Sequence, residues 1–194
     1  MEEHALPAKE PVSTTLAGPY GHPFHPILVT VPIGAWVASL VFDVGSHLVS
    51  RPGFLVVGSM WLIGLGVIGA LLAALVGTMD LLVIPTGTRA FRIGIAHMAL
   101  NLVITAAYVG NFLWRRAAEA TAMTSATAGT APSVGTGPLV LSVVSLVALA
   151  VSGYLGGMLA YRYGVRVADE ATQSEGYRVA TSRTAVRRDA RPAP

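Results

Sequence analysis

The chain has 194 residues, of which 53% are hydrophobic and only 12% charged, with a mean hydropathy of +0.62. A soluble domain carries roughly a quarter charged residues, so this composition argues against a water-soluble enzyme and for a surface that faces lipid. The formal charge of +3 gathers in a C-terminal run of arginines with no aromatic patch beside it, which argues against nucleic acid as a partner and reads as a topology signal. The absence of cysteine excludes disulfides, c-type haem attachment and thiolate-held iron–sulfur clusters on this chain.

In chain order, residues 1–20 form a polar segment with Glu2, Glu3 and Glu10 and no signal-peptide pattern. His22-Pro23-Phe24-His25-Pro26 follows and opens the first apolar run, Ile27–Val49. A bilayer core about 30 Å thick takes about 20 apolar residues in a helix, so this run is long enough to span. Asp43 and His47, four apart, share one face near its end. Arg51-Pro52-Gly53 separates it from the second span, Phe54–Ile84. That span carries small residues at four-residue spacing (Gly69, Ala73, Gly77), which lets helices approach closely in lipid, and Asp80 lies near its end.

Pro85-Thr86-Gly87 leads to the third span, Ile93–Trp114, which ends at Arg115-Arg116. His97, Asn101, Thr105 and Tyr108 form one polar stripe along it, expected to turn away from lipid. Such a stripe serves a ligand or bonds its neighbours. The Ala/Thr/Ser/Gly-rich stretch Ala117–Gly137 reads as a surface loop. The fourth span, Leu139–Tyr161, carries Ser152, Gly156 and Ala160 at the same small-residue spacing. After Gly164 the chain turns polar and Arg-rich. The expected fold is all-α: a four-helix transmembrane bundle over 21–167, with a polar N-terminal segment and a disordered basic tail over 168–194.

Four spans put both termini on one side. Lys9, Arg89, Arg92 and seven arginines from Arg162 onward share that side, against Arg51, Arg115 and Arg116 opposite. The excess predicts cytoplasmic termini. With a rise of about 1.5 Å per residue, His22, His25, Asp80, His97, Asn101 and Tyr163 fall at the terminal end, and Asp43 and His47 at the other.

Ionisable groups within the bilayer are costly and read as functional by default. Two imidazoles on different helices, His25 and His97, with His22 and Asn101 near them, suit a b-type haem. His22, His25, Asp80 and His97 are the alternative, a transition-metal set. Met79 and Met98 read as packing residues. The paired His and Asp residues also suit proton or metal-ion transport, although the Leu, Val, Ile and Ala between the two layers argue against a continuous path. No nucleophile–base constellation or phosphate loop is present, so the chain is not expected to be an enzyme on its own.

His22-Pro-Phe-His-Pro-Ile-Leu-Val-x-x-Pro32 followed by Asp43, then Gly77-Thr-Met-Asp80, His97-x-x-x-Asn101 and Gly156-Gly-Met-Leu-Ala-Tyr-Arg-Tyr-Gly164-Val, resemble the ordered landmarks of the DUF2231 family of bacterial multi-pass membrane proteins. The resemblance covers about Gly21 to Val167. It implies a bacterial inner-membrane location. Through relatives joined to Rieske or cytochrome-c-like domains, it also implies membrane electron transfer with a separate redox protein. Tyr163 departs from the pattern, standing where relatives often have histidine. The expectation is a small membrane redox module or docking subunit for electron transfer. The alternative is a non-catalytic assembly or scaffold subunit, in which the small-residue stripes and polar groups serve helix packing or a homo-oligomer.

Overall fold

The computed structural model describes residue 9, residues 22–124 (side chains through 119) and residues 133–177. Expectations for the rest of the 1–20 segment, most of the Ala117–Gly137 loop and residues 178–194 lie outside the described residues. The described helices are α1 (Phe24–Leu28), α2 (Thr30–Ser46), α3 (Gly53–Leu82), α4 (Arg89–Thr124), α5 (Thr136–Gly157) and a short α6 (Glu170–Glu175). Four stretches are long and apolar enough to cross a membrane: Phe24–Ser46, Gly53–Leu82, Arg89–Glu119 and Thr136–Arg162. The fold is the expected all-α bundle of four spans.

α1 and α2 form one span with a break at Val29. Pro32 explains it: proline has no N–H to bond the carbonyl four residues back, and its ring crowds that carbonyl, here Leu28. Beside the break the Thr30 hydroxyl donates to the Ile27 carbonyl at 2.7 Å. α5 ends in a π-helical turn, Met158–Arg162, in which the Tyr163 N–H reaches the Met158 carbonyl. Gly164 and Arg166 then adopt positive φ, +67° and +59°, and the chain folds back over the bundle end. The polar tail read from 168 onward begins with α6, whose N-cap Asp169 accepts from the Thr172 N–H at 2.9 Å.

Packing runs α2 on α3, α3 on α4, α4 on α5, and α5 back on α2, while α1 packs on α3. The polarity of this bundle is inverted relative to a soluble one. Leu48, Val103, Leu75 and Val147 stand on the outside, and Ser39, Ser59, Ser142, Ser152, Asn111 and Asp43 are buried. In lipid no hydrophobic force draws helices together, so small and hydrogen-bonding residues make the contacts. At mid-height Trp36, Ile63, Ile104 and Tyr108 form the core. The Trp36 and Tyr108 rings stack with centroids 4.1 Å apart and planes within 10°. Gly66 makes room for this stack, since a β-carbon there would collide with the indole.

Candidate functional site

At the end of the bundle where α1 begins and α5 ends, called the terminal end, His25 projects from the first turn of α1 onto α3. Its Nδ1 lies 2.9 Å from the Ala73 carbonyl oxygen. Gly77, one turn further along, meets the ring: a β-carbon there would come within 2.8 Å of it. The small-residue stripe Ala73/Gly77 is therefore a seat for an imidazole as much as a helix contact. His97 on α4 is seated in the same way on α5. Its Nδ1 is 2.8 Å from the Ser152 carbonyl oxygen, and Gly156 stands beneath the ring.

A carbonyl can only accept, so Nδ1 carries the hydrogen in both imidazoles, and in the neutral form Nε2 holds the lone pair. Asn101 fixes His97 further: its amide nitrogen donates to the Ser152 hydroxyl at 2.6 Å and to the His97 carbonyl at 2.9 Å. That nitrogen also lies 3.2 Å from His97 Nε2 and 3.5 Å from Nδ1. A donor aimed along the Nε2 lone pair in the ring plane would stand far from Nδ1, so the amide covers the ring face.

The two rings meet with centroids 6.3 Å apart and planes at 83°. This spacing falls near the wide end of edge-to-face contact, about 4.5–7 Å. It is also the spacing of two imidazoles on opposite sides of one metal, where bonds of about 2 Å plus about 1 Å to each ring centre give about 6 Å. α1 packs on α3, and the His25 ring it carries meets the His97 ring of α4 in an edge arrangement.

Asp80, one turn beyond Gly77, faces Arg166 with Nε and Oδ1 3.1 Å apart. The Nε hydrogen does not point at the carboxylate, so Nε remains without a hydrogen-bond partner among the described residues, as does the Tyr163 hydroxyl. Both atoms are buried. The left-handed backbone of Arg166 costs roughly 1–2 kcal/mol for a residue with a β-carbon, and it is what folds the guanidinium back onto α3. Val165, beside it, packs against Leu81 and Ile84, the same pair that Met98 of α4 covers. The tail is thereby held against the helix that carries Asp80.

The structure brings His25 and His97 together, with Asn101 and Ser152 around His97. It does not gather His22, His25, Asp80 and His97 as a metal set. Among the described residues no three His, Cys, Asp or Glu side chains are grouped to hold an ion. His22 precedes α1 half-buried and Thr105 is half-buried on α4. Tyr108 belongs to the mid-height core, its hydroxyl 3.4 Å from the Ser142 carbonyl.

The opposite end differs from expectation. Asp43 is fully buried, but His47 is exposed and is not its partner. Arg115 is the partner, through a two-pronged ion pair of 2.8 and 2.6 Å. Ser59 donates to the same carboxylate, Arg115 Nε donates to Asn111 at 2.8 Å, and Asn111 donates to Pro138 and Ser142 on α5 at 2.9 Å each. The α4 helix continues through Arg115 to Thr124, and the arginine's charge is matched inside the bundle by Asp43. The signal was present in the sequence as opposite charges at matching depth on two spans.

Neither a curated protein nor a solved structure matches the chain. A family model described as "Predicted membrane protein (DUF2231)" matches residues 21–169, which takes in all four spans, both seated histidines and the Asp43–Arg115 network. With more than half its length matched, the chain belongs to the DUF2231 family of predicted membrane proteins.

Proposed function

We propose that the protein is a small membrane redox module in which His25 and His97 would hold a haem b iron at the terminal end of the bundle. The observation that carries this reading is the matched seating of the two imidazoles: each gives its Nδ1–H to a backbone carbonyl of a neighbouring helix, and the ring centroids stand 6.3 Å apart with planes at 83°. Donation from Nδ1 fixes the ring and raises the basicity of Nε2, the usual outer-shell arrangement of a metal-bound histidine. Haem iron needs only two protein ligands. A bare zinc or copper ion ordinarily takes three or four, which favours haem over the alternative metal set. A bound haem would supply one-electron chemistry, and a separate redox protein would exchange electrons with it.

The chain's own residues would orient the ligands and keep the site dry. Ser152 and Asn101 hold His97, Gly77 and Gly156 admit the rings, and Asp80 with Arg166 closes the end. Proton transport is less well supported. Asp43 is clamped by Arg115, and an apolar core built round the Trp36–Tyr108 stack lies between the two polar layers. Both termini are assigned to the cytoplasmic side of a bacterial inner membrane. With Arg115 matched internally, only Arg51 and Arg116 among the described residues oppose the basic residues of the terminal side.

The test is a reduced-minus-oxidised spectrum with haem and metal analysis, on protein purified in detergent after expression with ample haem. Stoichiometric haem in the wild type, lost in His25→Ala and His97→Ala variants that still purify as folded protein, is expected. A colourless, metal-free wild type defeats the reading.

A further inference from the structure

The fourth span ends on a shallow groove lined by Tyr154, Gly157, Met158, Tyr161 and Arg162. Gly156 turns inward to the His97 ring. Gly157, the next residue, turns away: a β-carbon built there meets only the Tyr161 ring of its own helix, at 3.9 Å. Tyr154 and Tyr161 are 71% and 92% exposed. Met158, Tyr161 and Arg162 belong to the π-helical turn, and such turns are rare and concentrate at functional sites. The groove holds about 330 Å³ and its surface is almost wholly apolar, so Arg162 lines it with its hydrocarbon stem.

Depth sorts the groove chemically. Arg162 is the last residue of the span, at the level where tyrosines and arginines mark the membrane–water interface. Tyr154 precedes it by two turns, about 12 Å deeper at 1.5 Å per residue. The groove is therefore apolar along its depth and cationic at its mouth. The Arg162 guanidinium is exposed, stands 6.0 Å from the Tyr163 ring centre, and pairs with no carboxylate among the described residues. We propose that this groove binds an anionic phospholipid. The phosphate takes the Arg162 fork, and an acyl chain lies over Gly157 between Tyr154 and Tyr161. A second copy of the chain suits this face less well. Two copies in one membrane stand parallel, so a two-fold contact here sets Arg162 against its own counterpart, and like charges so placed oppose association. A free phosphate would leave the apolar floor unused. The site stands independently of the haem reading.

The test is native mass spectrometry of the delipidated full-length protein in detergent, offered equal amounts of dioleoyl phosphatidylglycerol and dioleoyl phosphatidylcholine. The two lipids share their acyl chains and differ in net head charge. The wild type is expected to take its first lipid with at least about fivefold preference for phosphatidylglycerol, the scale of one arginine beside an anionic head group. Arg162→Gln should bring that preference within about twofold, whereas Arg162→Lys, which keeps the charge, should retain most of it. Gly157→Leu keeps the arginine but fills the floor, and should lose the first bound lipid of either kind. Arg116→Gln, which removes an exposed arginine at the opposite end, should leave the preference unchanged. No preference in the wild type, a preference untouched by Arg162→Gln, or an equal loss in Arg116→Gln overturns the proposal. Undiminished lipid in Gly157→Leu does so too, as does a wild-type dimer that this variant splits, which would give the groove to a second copy.

Discussion

Replacing Arg115 by glutamine is the sharpest structural perturbation available. The wild-type guanidinium makes two bonds to Asp43, one to Asn111 and one to Ser59, at 2.6–3.1 Å, and is 7% exposed. Glutamine is too short to keep the two-pronged contact, so the Asp43 carboxyl, which has no exposed surface, is left with Ser59 as its side-chain donor among the described residues. Removing one partner of a buried pair costs about 3–5 kcal/mol, because it strands the other charge. That is a large part of an ordinary total stability of about 5–15 kcal/mol. Asp43→Asn should cost a comparable amount. The double variant should be more stable than the sum of the two losses by about 1–3 kcal/mol, since neither charge is then stranded. Equilibrium unfolding in mixed micelles, followed by the fluorescence of Trp36, Trp61 and Trp114, measures all four corners of the cycle. A loss below about 1 kcal/mol for Arg115→Gln, or strict additivity, would refute the claim that this pair is a buried, mutually dependent lock.

The remaining expectations follow from particular contacts. Gly66→Ala drives a β-carbon into the Trp36 indole and should cost about 1–3 kcal/mol by overpacking, measured by the same unfolding assay. Gly77→Ala should displace the His25 ring and Gly156→Ala the His97 ring less, because the β-carbon would stand 2.8 Å from the first and 3.1 Å from the second; the shift in each imidazole's NMR signals reads the order directly. His47→Ala, on an exposed side chain, should change stability by no more than about 0.5 kcal/mol. Asp169 lies outside the spans, and bonds from the Thr172 N–H hold its carboxyl below the ordinary carboxylate value. Its cap on α6 should therefore be present at neutral pH and fade only as pH falls through that lowered value, with amide exchange of Thr172 as the readout.

The number and order of the spans were legible because each is a long apolar run bounded by Pro, Gly or charge, and nothing else competes with that signal. Legibility failed where a charge is matched inside the bundle. Arg115 looks like a terminator beside Arg116, and its real role depends on Asp43 standing at the same depth one helix away. His47 looked like the partner of Asp43 because i, i+4 residues share a helix face, but α2 ends at Ser46 and His47, its C-cap, is exposed. The stripe along α4 was read as far as Tyr108, yet it continues through Asn111 to Arg115, and periodicity alone could have carried it there. The terminal end was legible as a grouping of His25, His97, Asn101 and Asp80 from topology and rise. The seats were not. That Ala73 and Ser152 offer their carbonyls to the rings, or that Arg166 turns back through positive φ, depends on backbone geometry that no residue type announces.

The account rests most heavily on His25 and His97 sharing one iron, and low-temperature EPR of the oxidised, haem-supplemented protein tests this most directly. With ring planes at 83°, the account predicts the strongly anisotropic low-spin ferric signal of two near-perpendicular imidazoles, abolished by His97→Ala. A protein with no low-spin ferric signal, or one whose signal survives loss of either histidine, would contradict it.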